Sequence, residues 1–63
     1  MMRKLEELLR EGYRVEMQPT WEGNNLVFTV TVVSGGVAVS MGDNTSLAEA
    51  LQKAWQFTPG REG

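Results

Sequence analysis

The side chains that could do chemistry in this 63-residue chain are its eight carboxylates: Glu6, Glu7, Glu11, Glu16, Glu22, Asp43, Glu49 and Glu62. Paired carboxylates can act as general acid and base, and clustered ones can hold a hard cation. Their spacing serves neither role. Glu6, Glu7 and Glu11 fall on the polar side of one helical pattern, and Glu49 stands where a helix cap needs it. Asp43-Asn44-Thr45 offers oxygens, but a calcium loop needs more ligands at fixed intervals, and these residue types are common turn formers. The chain has no histidine and no cysteine. The commonest general base, the commonest metal ligand and thiolate chemistry are therefore missing. No phosphate-cradling glycine loop with its lysine is present, and no nucleophile has a recognisable base. The expectation is a non-catalytic protein with no cofactor, no metal and no small-molecule substrate.

The elements that carry these groups follow from periodicity. Hydrophobic content of 41% and charged content of 22% are those of a globular chain. The length allows a single domain, assigned here to residues 1–58, with a flexible tail at 59–63. Met1 or Met2, Leu5, Leu8 and Leu9 recur at helical spacing, which predicts a helix over 1–11. Glu6 precedes Arg10 by four residues, a pairing worth about 0.3–0.5 kcal/mol, and Gly12 is placed to end the helix. Tyr13, Val15 and Met17 alternate with polar residues, predicting a strand over 13–18 that Pro19 ends, followed by a loop over 20–25. Trp21, in that loop, is expected to fold back over the edge of the core; the other reading is an exposed binding aromatic.

Leu26 to Ser34 is the strongest strand pattern, with Leu26, Phe28, Val30 and Val32 on one face and Val27, Thr29, Thr31 and Val33 on the other. Gly35-Gly36 supplies a two-residue hairpin turn. The return strand continues the apolar face through Val37, Val39 and Met41, with Ala38 and Ser40 opposite, so that Val32 is expected across from Val39. A polar link, Gly42 to Thr45, leads to the capping box Ser46-Leu47-Ala48-Glu49. Leu47, Ala50, Leu51, Ala54 and Trp55 then form one helical stripe, which Pro59 ends; Phe57 lies off it. The expected class is α+β, in the order α-β-β-β-α, with a three-stranded antiparallel meander and both helices on one face.

That order is the order of the double-stranded-RNA-binding domain, and the middle of the chain resembles the family. Phe28-Thr29-Val30-Thr31-Val32 is similar to its Phe-Thr-Val-x-Val strand. Gly35-Gly36 falls at its turn, Gly42 at a glycine late in its third strand, and Ser46-Leu47-Ala48-Glu49-Ala50 on its Ser-Lys-Lys-x-Ala segment. The resemblance, over about 24–54, implies the fold. The family grips phosphates with lysines where this chain has Leu47, Ala48 and Leu51, and it enters the minor groove with a Gly-Pro-x-His loop where this chain has Trp21-Glu22-Gly23-Asn24. Duplex affinity rests largely on phosphate neutralisation, and the net charge here is −2, so nucleic acid is not the expected partner. A divergent nucleic-acid binder would have to use Arg3, Lys4, Arg10 and Arg14. The segment from Gly42 to Leu51 is also similar to the strand-to-helix passage of HicB-type antitoxins, and the element order to the HicA toxin, whose ribonuclease histidine is absent here.

What is left is binding. From Gly23 to Gly42 there is no charged residue, whereas a solvent-facing sheet normally carries charges that block association. Val27, Thr29, Thr31, Val33, Ala38 and Ser40, or the third-strand edge beside them, are the expected interface, for a homodimer or another protein. Trp21 and Phe57 are the second candidate patch, together with the stripe residue Trp55. No apolar run reaches membrane-span length and the first residues lack a signal-peptide core, so the expected setting is the cytoplasm.

Overall fold

The computed structural model describes residues 2–60. Met1, one of the two methionines assigned to the first apolar stripe, and residues 61–63 of the assigned tail lie outside the described residues. The elements run α1 (Met2–Arg10), β1 (Arg14–Glu22), β2 (Asn25–Ser34), β3 (Val37–Asn44) and α2 (Leu47–Gln56). The strands form one antiparallel sheet in the order β1-β2-β3. This is the expected α-β-β-β-α meander of the α+β class.

Both helices lie on one face, because the fully buried side chains of each meet the same side of β2. Leu8 from α1 and Ala50, Leu51 and Ala54 from α2 close on Val30 and Val32. Leu5, Tyr13, Val15, Phe28, Val39, Leu47 and Trp55 pack around them. Leu9, expected on the α1 stripe, is instead 52% exposed, since a helix resting on the core with one narrow stripe buries Leu8 and turns the next position away. α1 ends as a Schellman motif. Gly12 takes a φ of +90°, its N–H donates to the Leu9 carbonyl at 3.1 Å, and the Tyr13 N–H donates to the Leu8 carbonyl at 3.1 Å.

β1 does not stop at Pro19. It continues to Glu22 and pairs with β2 throughout, from Arg14 opposite Val33 to Glu22 opposite Asn25. The expected strand end and the 20–25 loop are thus corrected to a long hairpin turning at Gly23-Asn24. The physical reason is position in the sheet: β1 is an edge strand, and an edge tolerates a residue with no N–H to donate.

β3 differs from the expected alternation at one residue. Ser34 pairs with Val37 and Val33 with Ala38 across the Gly35-Gly36 turn, whose φ angles of +58° and +81° suit only glycine at low cost. The register then slips, so that Val32 faces Ser40 rather than Val39, and Val39 is the extra residue of a β-bulge. Beyond the bulge the faces exchange. Ser40 and Gly42 point to the helices and are buried, while Met41 points away and is 60% exposed.

The inward Ser40 has a hydrogen-bonding role. Its hydroxyl donates to the Ala54 carbonyl, and the buried Thr58 hydroxyl donates to the same oxygen at 2.7 Å. Ala54 lies in the last turn of α2, where carbonyls run out of helical partners. Two hydroxyls complete it, and Ser40 thereby ties the end of α2 to β3. Ser40→Ala is expected to lower stability by about 1 kcal/mol. This would be read as a lower urea midpoint at unchanged slope; an unmoved midpoint would contradict the role given to this contact.

Candidate interaction surfaces

The side of the sheet away from the helices is set by the register. Its rows are Glu22 with Asn25; Thr20 with Val27; Gln18, Thr29 and Asp43; Glu16, Thr31 and Met41; and Arg14, Val33 and Ala38. Val27, Thr29, Thr31 and Val33 on β2 are half-buried, and Ala38 and Met41 on β3 are exposed. Ser40, expected on this face, is on the other one. Met41, expected in the core, takes its place here. The bulge is the cause of both corrections, and nothing in a two-residue alternation signals it.

The charges of this face sit at its margins. On β1, Arg14 pairs with Glu16 at 3.2 Å and Glu22 stands at the hairpin end, and on β3 the one acid is Asp43. The central strand carries none. Both sheet edges carry devices that discourage further strand addition. β1 has Pro19, the Arg14–Glu16 pair and Glu22. β3 has the bulge at Val39, and the Lys53 ammonium donates to the Asp43 carbonyl at 3.1 Å. The open face, rather than either edge, is therefore where a flat uncharged area is left exposed.

Trp21 is also not where it was expected. It stands opposite Leu26, on the helix-bearing side of the sheet, yet it is 68% exposed. α2 begins just after Asn44, which pairs with Phe28, and runs back so that Ala54 meets Ser40. The β1–β2 hairpin beyond Phe28 thus projects past the helical layer. Trp21 lies on that projection, and Phe57, 66% exposed, caps the opposite end of α2. They do not form one patch.

Trp55 belongs to a third place. Its ring packs against the core, its Nε1–H donates to the Glu7 carboxylate, and the Lys4 ammonium lies 4.9 Å from the ring centroid. A shallow cleft of ≈ 490 Å³ lies between this ring and the α1 side chains from Arg3 to Glu11. Its lining mixes three bases and three acids, and Arg10 pairs with Glu6 at 3.7 Å. The four cations named for a nucleic-acid surface are divided between two sides of the molecule. Arg3, Lys4 and Arg10 are on α1, on the helix side, and Arg14 is on the open face.

The polar link closes a side-chain turn. Asn44 Oδ1 accepts from the Ser46 N–H at 3.0 Å and from the Thr45 hydroxyl at 3.4 Å, closing a side-chain turn that delivers Ser46 to the N-cap of α2. The Glu49 N–H donates to the Ser46 hydroxyl at 3.5 Å. Among the described residues, no group of three or more metal-ligating side chains comes together, and no helix is long and apolar enough to cross a membrane.

No family model, no curated protein and no solved structure matches the chain.

Proposed function

We propose that the chain is a small non-catalytic protein–protein interaction module of double-stranded-RNA-binding-domain-like shape, which self-associates as a homodimer in the cytoplasm. The observation that carries this reading is the open sheet face. Its central strand presents Val27, Thr29, Thr31 and Val33 with no charge among them, flanked by Ala38 and Met41. Flat sheets of small β-branched residues pack face to face about 10 Å apart. A second copy supplies a matching flat face, with Arg14, Glu16 and Asp43 left at a polar rim.

The size of the face sets the strength. Three strands about 4.8 Å apart, over about seven residues of 3.3 Å, give on the order of 350 Å² per copy. That is below half of the roughly 800 Å² per partner of a standard interface, so the dimer is weak and rapidly exchanging. Nucleic acid is not the proposed partner, because the cations are divided between two sides and two of them pair with acids.

Sedimentation over a wide concentration range tests the reading. The wild-type mass is expected to rise towards that of a dimer and to be insensitive to salt. Thr31→Lys, on a half-buried strand position of the open face beside Glu16, is expected to fold normally and stay monomeric. A wild-type protein that stays monomeric throughout, or a variant that associates equally well, would sink the proposal.

A further inference from the structure

We infer that the seat of α1 is a docking site for α1 of a second copy, so that two chains can exchange this helix. The contact is independent of the open face, since it lies on the helix side of the sheet and uses other side chains. Leu8 closes on Val30 and Val32 from β2 and on Ala50, Leu51 and Ala54 from α2, and none of these partners belongs to α1. The seat is therefore assembled by the rest of the chain. α2 is fastened to β3 by the Ser40 hydroxyl on the Ala54 carbonyl, the Lys53 ammonium on the Asp43 carbonyl and the close approach at Gly42. α1 is held more lightly. Of its described side chains Leu8 alone is fully buried, Leu5 is half-buried, and Leu9 is exposed. Glu7 and Lys4 reach Trp55 at the surface.

The occupant that fits this seat is the one already in it. A helix of 9 residues is marginal alone in water, so α1 holds its shape only when seated. An α1 from a second copy brings the same leucine to Val30, Val32 and Leu51, and the same Glu7 and Lys4 to Trp55. What exchange gives up is the turn between α1 and β1, formed by Glu11, Gly12 and Tyr13. There the Gly12 and Tyr13 N–H groups donate to the Leu9 and Leu8 carbonyls. Opened, this link spans about 10 Å, so two copies meet at their hinges and each α1 crosses to the other chain. Within one chain the tether keeps α1 at an effective concentration on the order of millimolar. A chain folded in dilute solution therefore keeps its own α1, and exchange sets in when chains fold together at that concentration.

Isotope labelling tests this. Carbon-13-labelled and unlabelled chains are unfolded together in urea and refolded at millimolar concentration. Isotope-filtered NMR is then expected to show contacts between Leu8 of one chain and Leu51 of the other. A dimer joined through the open face gives none, because there each Leu8 meets the Leu51 of its own chain. Thr31→Lys is expected to leave the interchain contacts in place. Gly12→Ala is expected to lower the concentration at which half of the chains have exchanged by at least about tenfold. The left-handed φ of +90° strains alanine in both closed turns, whereas the opened hinges do not. A Cβ at Gly12 meets nothing within 4 Å, so the substitution acts on the turn alone. Absence of interchain contacts at millimolar concentration, their loss in Thr31→Lys, or an unmoved midpoint in Gly12→Ala would each overturn the inference.

Discussion

Gly42→Ala is expected to remove a large part of the protein's stability. A Cβ at this position would stand 2.5 Å from the Ala50 carbonyl oxygen, 2.6 Å from Lys53 Cβ and 2.7 Å from the Ala54 nitrogen. Two of these three are backbone atoms of α2, so no side chain can swing aside; the helix itself must lift. α2 supplies Ala50, Leu51 and Ala54, half of the fully buried apolar core. Overpacking of this kind costs about 3 kcal/mol. A domain of this length has only about 3–9 kcal/mol in total. The expected result is a thermal transition lowered by tens of degrees, or no cooperative transition at all. An unchanged transition would mean that α2 does not lie against β3 at Gly42. The reason for glycine here is close approach, because its φ is not among the positive ones.

Leu8→Ala is expected to have an effect of similar size. Leu8 is fully buried, and it is also the residue whose carbonyl receives the Tyr13 N–H in the turn that closes α1. Truncating a leucine in such a site costs about 2–5 kcal/mol. Leu9→Ala, one residue on and 52% exposed, is expected to change stability by less than about 0.5 kcal/mol. The pair is read by urea unfolding, with hydrogen exchange of α1 amides as a second readout. If the two substitutions cost the same, the seating of α1 described above is wrong.

The order of elements, the α2 stripe with its Ser46 cap, and the β2–β3 turn were all legible in the sequence. Each depends on interactions within a few residues, which leave their mark on local spacing. The interaction surfaces were legible only in part. The strand alternation in Val37 to Met41 is real, but one inserted residue at Val39 exchanges the faces beyond it. Ser40 thus moved from a candidate surface into the core, where the Ala54 carbonyl needed a donor, and Met41 moved out. Pro19 ends a strand only where a neighbour requires its missing N–H, and β1 has no neighbour on one side. The exposure of Trp21 follows from the lengths of two elements taken together: a β1–β2 hairpin longer than the helix that covers it. No window of sequence around Trp21 contains that comparison. Val27, Thr29, Thr31 and Val33 kept their expected face because β2 pairs with both neighbours through the row of Thr31 without a slip.

The most direct test of the proposed assembly is an amide NMR spectrum followed on dilution. If the open face is the contact, the amides of Thr29, Thr31 and Met41 are expected to shift with concentration while those on the outer side of α1 stay fixed. Spectra that do not change with concentration, or changes confined to α1 or to the projecting end of the β1–β2 hairpin at Trp21, would contradict it.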